Sequence, residues 1–256
     1  MSGAKDLRIY PILAQDARTF IRRHHYSGKT VNSSQLHLGV FLDGSMVGAL
    51  QFGPSMDKSK LVGLVSQTPW NGFIELNRLA LVDDTPKNTE SRTLAIAMRI
   101  LKKRYPHIQW VVSFADATQC GDGAIYRASG FILTGITKNT TMLVMPDGSI
   151  MADLTLKRQG AGYANYKLWT RRGAVPLPGF QLRYIYFLDR AARERLTVPE
   201  IPFGKIAELG AGMYKGRPKD SSEPPAIHAG EGGAAPTRAL QNLFPLRDRM
   251  SRLVSA

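Results

Sequence analysis

Apolar and polar positions alternate in short runs along most of the chain. LRIYPI reads as a strand, and AQDARTFIRRHHY as a helix because Ala17, Phe20 and Ile21 recur at helical spacing. LHLGVFLDGSMVGALQFG holds two apolar runs joined by Asp43-Gly44, a pair suited to the positive φ angles of a tight hairpin turn. FIELNRLALV is a further strand, on which Leu76, Arg78 and Ala80 alternate and should share a face. After the polar loop DDTPKNTES comes the clearest helix, SRTLAIAMRILKKRYP. It places Leu94, Ala97, Met98 and Leu101 on one side, with Ser91 as N-cap and Pro106 as stop. WVVSFAD reads as a buried strand and GAIYRASGF as a short helix ending at Gly130. FILTGITKN, YKLWTR and QLRYIYFL supply more strands.

This pattern stops near residue 212. Residues 213–256 are rich in Pro, Gly, Ala and Ser and cannot bury enough surface to offset their ordering entropy, so a folded domain over 1–212 and a disordered tail over 213–256 are expected. The whole chain has 256 residues and a net charge of +14. The tail holds seven basic and four acidic side chains, so most of the excess belongs to the folded part and points to a polyanionic partner, nucleic acid first and an anionic membrane second. No apolar run approaches the ~20 residues of a bilayer span, and the N-terminus lacks a signal-peptide pattern, so a soluble cytoplasmic protein without a membrane partner is expected. A single cysteine, Cys120, excludes an internal disulfide framework and a cysteine-cluster metal site.

The element order resembles the GNAT acyltransferase fold. That resemblance implies an α+β fold (an α/β/α sandwich): a mixed, mostly antiparallel sheet flanked by helices, here with a basic C-terminal extension. The sheet splays between its fourth and fifth strands, and the donor's pyrophosphate lies at the N-terminus of the intervening helix. Four motifs narrow the resemblance: HYSG, ELNRLAL, SFADA and GAIYRASGF, in that order and spacing. Together they resemble the Mom family of phage DNA-modification proteins, from about residue 20 to about 190. The resemblance implies an enzyme that converts adenine N6 in double-stranded DNA to a carbamoylmethyl derivative and so protects DNA from restriction. It places functional positions on His25, Tyr26, Arg78, Ser91, Asp116 and Tyr126.

The residues carry their own reading. Asp116 ends a buried strand, where open sheets place ligand crevices; it can accept a proton or grip an exocyclic amine, or cap the next turn. Tyr126 can serve as a general acid or as a half-buried packing side chain. Arg78 needs an anionic partner, either Asp116, Glu75 or a bound anion. His25 can act as a base, can favour the helix dipole, or, with Tyr26 and Asp116, can form a hard N/O site suited to iron. Asp116, Tyr126 and Arg78 are expected to face one crevice.

Lys87, Asn88, Ser91 and Arg92 precede or open the main helix and can hold an anion there. The Q/R-x-x-G-x-G/A glycines usual in GNAT enzymes are missing, which leaves the donor open between a coenzyme A-type molecule and another acyl or glycyl donor. Reaching N6 in a duplex calls for base flipping, with Tyr26, Trp70 and Phe114 as stacking candidates. Lys29, Arg171, Arg172 and Arg183 are expected to grip DNA phosphates, with Arg171 and Arg172 facing opposite ways on a strand. Two other readings stay open: a conventional N-acetyltransferase for a small amine or protein, and a non-catalytic DNA-binding module.

Overall fold

A computed structural model describes residues 3–159, 162–214 and 217–219. The expected disordered tail lies outside these residues from 220 onward. The described residues form two compact units, one within 3–137 and 180–219, the other within 138–179.

The first unit is built on a seven-stranded sheet with the order β1-β2-β3-β4-β5-β10-β6. In chain order it contains β1 (Arg8–Pro11), α1 (Ala14–His24), β2 (Leu36–Leu42), β3 (Ser45–Gly53), α2 (Lys58–Leu61), β4 (Phe73–Leu81), α3 (Thr89–Arg104), β5 (Trp110–Ala117), α4 (Ala124–Ala128) and β6 (Ile132–Lys138). The second unit holds β7 (Met142–Val144), β8 (Ile150–Ala152), α5 (Asp153–Arg158), α6 (Tyr163–Arg171) and β9 (Val175–Pro176). The chain then returns to the first unit through β10 (Phe180–Phe187), α7 (Arg190–Arg193), α8 (Gly204–Glu208) and the pair β11 (Met213–Tyr214) and β12 (Arg217–Pro218). Lys219 bonds to buried Asp122, so the ordered chain runs past the boundary expected at 212.

β1 to β4 pair antiparallel, β4 and β5 parallel, and β5 and β10 antiparallel. The parallel pairing is short. Only Phe73–Glu75 of β4 meet Trp110–Val112 of β5. Beyond Glu75 the two strands diverge, while β3 still pairs with β4 as far as Leu81 and β10 with β5 as far as Ala117. The sheet thus opens into a fork, the GNAT-like arrangement that the element order implied.

The two faces of the sheet are filled differently. Leu50, Val111, Ala115, Leu182 and Tyr184 pack with Leu94, Met98 and Leu101 of α3. Alternate positions point the other way, where Ala49 and Ala80 meet Ala17 and Ile21 of α1, and Phe73, Trp110 and Val112 meet Leu61 of α2. The Asp43-Gly44 hairpin forms as expected, with φ of 50° and 79°.

Three expectations need correction. YKLWTR is helical, within α6, because Tyr166 and Trp169, three residues apart, both pack onto Leu143, Met145, Leu156 and Ala174. Arg171 and Arg172 therefore sit at a helix end instead of on opposite faces of a strand. The main helix starts at Thr89, with Asn88 as N-cap at φ 69°, so Ser91 lies in its first turn. Leu76 and Ala80 do not share a face. The β3–β4 register passes from Gln51↔Arg78 to Phe52↔Leu76, skipping Asn77. This β-bulge turns Leu76 toward the α3 side, and leaves Arg78 in step with Ala80 on the α1 side.

Candidate active site

The HYSG segment forms the turn that ends α1. His25 is the C-cap, its backbone N–H bonded to Ile21 O, and Gly28 takes φ 59° while donating to His25 O at 2.8 Å. The Ser27 backbone N–H donates to His25 Nδ1 at 3.2 Å, and Ser27 Oγ lies 2.8 Å from the same atom. A nitrogen that accepts from a backbone N–H carries no proton, so the neutral ring bears its hydrogen on Nε2. Burial and then the nearby positive charge of Arg78 hold the His25 pKa down at about 4. The His25 and Tyr26 rings lie 4.3 Å apart.

Tyr26 reaches from this turn to the end of β5. Its hydroxyl donates to Asp116 Oδ2 at 3.1 Å, while 49% of the residue stays exposed. Burial of the hydroxyl and then the Asp116 charge push the Tyr26 pKa well above the usual phenol range, so the group stays a donor. Gln119 Nε2 also donates to Oδ2, and the backbone and hydroxyl of Thr118 both donate to Oδ1. Asp116 thus caps the following turn and faces Tyr26 at the same time.

Arg78 fastens the arrangement. Its Nε donates to Lys29 O at 3.1 Å and its Nη1 to Asn77 O at 2.6 Å, which ties the turn after α1 to β4. The structure thus brings His25, Tyr26, Arg78 and Asp116 together on the α1 side of the fork. The Lys29 side chain is exposed beside them.

Tyr126 is placed elsewhere. It belongs to the core on the α3 side, with its hydroxyl 2.8 Å from Ser113 Oγ, and burial pushes its pKa up to about 12. Ser113 and Asp116 are three residues apart on β5 and project from opposite faces. The single crevice expected for Asp116, Tyr126 and Arg78 therefore divides: two face the α1 side and Tyr126 faces the α3 side.

Two further side chains belong to the fork. Glu75 is the last β4 residue paired with β5, at the crotch. Burial raises its pKa against the opposing hydrogen bonds of Ser55 and Asn77 and the charge of Arg78. Cys120 lies past the end of β5 and is exposed at the surface; neighbouring protein atoms that desolvate its thiol, then the charges of Asp116 and Glu90, push its pKa up to about 11. Sequence reading treated Glu75 only as a partner for Arg78; its signal was a carboxylate on an otherwise apolar strand.

Lys87, Asn88, Ser91 and Arg92 line an open depression of about 770 Å³ beside the start of α3, together with Lys5 and Arg99. Arg92 Nη2 donates to Lys5 O, but its buried Nε has no hydrogen-bond partner. A basic pocket with an orphaned guanidinium N–H fits an anionic group. The set expected for iron is brought together at the mouth of the fork: Tyr26 Oη lies 3.1 Å from Asp116 Oδ2, the His25 and Tyr26 rings are 4.3 Å apart, and Ser27 engages only Nδ1 of His25. Among the described residues no three His, Cys, Asp or Glu side chains gather as a metal site. Arg183 is also spoken for: its Nε and Nη2 bond to Thr134 Oγ1 and O, so it fastens β10 to β6 and is a poor candidate for holding phosphate.

A model of the Mom protein family matches residues 6–205. The chain belongs to the Mom protein family. Among curated Mom relatives, the protein named methylcarbamoylase mom, from Escherichia phage Mu, is 39% identical over 198 residues, covering 76% of this chain and 81% of that one. Solved structures similar to this Mom family member include an acetyltransferase from Bacillus subtilis in complex with CoA, at 10% identity and TM-score 0.40, covering 71% of this chain and 98% of that chain. Another is the ribosomal-protein-S18-alanine N-acetyltransferase from Escherichia coli, at 12% identity and TM-score 0.40, covering 72% and 94%. Superpositions this loose carry no functional weight.

Proposed function

We propose that this chain transfers a carbamoylmethyl group to N6 of adenine in double-stranded DNA and thereby protects the DNA from restriction. The observation that carries this reading is the Tyr26–Asp116 hydrogen bond across the mouth of the fork. It joins two of the family's motifs, ninety residues apart, into one polar site in a chain whose relative is a methylcarbamoylase.

The chemistry follows from the groups present. Adenine N6 is a weak nucleophile because its lone pair is delocalised into the ring, and it must give up one proton as the new N–C bond forms. Asp116 Oδ2 is an acceptor at the fork and can take an N6–H hydrogen bond, orienting the lone pair toward the donor. Glu75, a carboxylate with raised proton affinity at the crotch, is the second proton acceptor. Tyr26 presents an exposed ring on which a flipped adenine can stack, its hydroxyl meanwhile fixing Asp116. Neutral His25 offers Nε2–H as a donor. Arg78 acts as a positioning residue by holding the Tyr26 turn onto β4.

Lys87, Ser91 and Arg92 would hold the anionic end of a coenzyme A-type or other acyl or glycyl donor. The new bond joins N6 to the methylene carbon of the carbamoylmethyl group; the bond from that carbon to the rest of the donor breaks, and the rest of the donor leaves with the bonding pair while the N6 proton passes to a carboxylate of the fork. His25, Tyr26 and Asp116 are the residues that would hold an iron ion, which would supply Lewis-acid or redox chemistry there; no step is assigned to it.

Plasmid DNA from cells expressing the protein should resist endonucleases that require unmodified adenine. DNA from cells expressing Asp116→Asn should be cut. Equal cutting of both plasmids would contradict the proposal.

A further inference from the structure

We infer that residues 138–179 form the unit that grips the DNA backbone, through the outer face of α6. This rests on DNA as the substrate and adds where the duplex is held.

The inserted segment carries six basic side chains (Lys138, Lys157, Arg158, Lys167, Arg171 and Arg172) against two acidic ones, Asp147 and Asp153. Its apolar side is already occupied. Tyr166 and Trp169 pack onto Leu143, Met145, Leu156 and Ala174, and Asn165 Nδ2 ties α6 to Leu156 O at 2.8 Å. What remains outward is a mainly cationic and aromatic face, with Leu168 as an exposed aliphatic side chain beside it. Tyr163, Lys167 and Arg171 stand at i, i+4 and i+8, all exposed, and Arg172 follows at the C-cap. α6 contains no acidic residue.

Side chains four apart on a helix are neighbours, with Cβ atoms about 5–6 Å apart, so Lys167 and Arg171 can reach successive phosphates of one strand. The cations are also held in place. Lys167 Nζ lies 5.2 Å from the centre of the Tyr163 ring, and Arg172 lies 5.4 Å from that of Trp169. Cations pre-positioned against aromatic rings lose less freedom on binding. A lipid surface is the poorer match, since a membrane-bound helix must insert its apolar face. In α6 Tyr166 and Trp169 are spent on the unit's own core, which leaves Leu168 as the one large aliphatic side chain it exposes.

The test uses the full chain and a short labelled duplex, with affinity measured across a salt series. The slope of log K against log[salt] should be shallower by about 2 in Lys167→Ala/Arg171→Ala, at about 0.9 per phosphate contact. Lys102→Ala, which removes an exposed charge from α3, should leave affinity and slope as in the wild type. A double variant with wild-type affinity and slope overturns the inference, as does an equal loss in Lys102→Ala.

Hydrogen exchange of the wild type gives a readout independent of how the variants fold: amides of 163–172 should slow when duplex is added. Unchanged exchange there overturns the grip. So does a double variant that loses binding to phosphatidylserine vesicles and keeps binding to duplex. Failure of the proposed chemistry looks different: a wild type that binds duplex through α6 but leaves adenine unmodified.

Discussion

Tyr26 Oη and Asp116 Oδ2 are 3.1 Å apart although the residues stand ninety positions apart in the chain. One comes from the turn that ends α1, the other from the end of β5, beyond the point where β4 and β5 diverge. The phenol stays protonated and the carboxylate accepts, so the bond is charge-assisted, a class worth about 1.5–3 kcal/mol. Tyr26→Phe should therefore lower kcat/KM for DNA modification by roughly 10- to 100-fold. Asp116→Asn should lose more, about 10²- to 10⁴-fold, because the proton acceptor itself is gone. Steady-state kinetics on a duplex substrate checks both, and a Tyr26→Phe enzyme more impaired than Asp116→Asn would reverse the assigned roles.

Glu75 predicts the acid side of the pH–rate profile. Its pKa is raised, chiefly by burial, so activity should fall with decreasing pH at a value above the ordinary carboxylate range. In Glu75→Gln this limb should disappear from whatever activity remains. A variant that keeps the limb unchanged would assign it to another group.

His25 makes a stability prediction with a defined sign. Its folded pKa, about 4, lies below the ordinary histidine value of 6.5, so the unfolded chain binds more protons between those values. Stability is at its full value above about pH 6.5 and falls as pH drops toward 4, by on the order of 2 kcal/mol from this residue. In His25→Gln the fall over that window should be shallower in urea titrations. Parallel pH curves for the two proteins would show that His25 is not held neutral.

Tyr126 and Gly123 test the α3 side of the fork. Tyr126→Phe removes the nearer of the two partners of buried Ser113 Oγ, the other being Leu76 O, and should cost about 1 kcal/mol, lowering Tm by roughly 2–4 °C. Gly123 precedes α4 at φ 81°, and a Cβ there would meet the rings of Tyr184 and Tyr126. Gly123→Ala should therefore cost more, about 2–4 kcal/mol. Circular-dichroism melts decide, and an unchanged Tm for Gly123→Ala would contradict the packing described.

Much of this fold is legible in local pattern. The Asp43-Gly44 hairpin, the apolar stripe of α3 and the buried strand β5 all follow from spacing and turn chemistry. YKLWTR misleads because Tyr, Trp and Thr favour strands; the burial of Tyr166 and Trp169 on one side of a helix overrides that preference. The site is less legible, since a bulge at Asn77 reverses which residues of β4 face α1, and no alternation rule foresees it. The same parity argument separates Tyr126 from Asp116: both lie near the end of β5 in sequence, but Ser113 and Asp116 point to opposite faces. The Tyr26–Asp116 contact could be anticipated from the resemblance only, because nothing local links residues so far apart.

The central claim is that the fork modifies adenine, and the most direct measurement is mass spectrometry of nucleosides from DNA of cells expressing the protein. Wild-type expression should yield a deoxyadenosine derivative heavier by one carbamoylmethyl group, and Asp116→Asn expression should yield unmodified deoxyadenosine. Unmodified adenine with the wild type, or an acetylated product in place of the carbamoylmethyl one, would contradict the account.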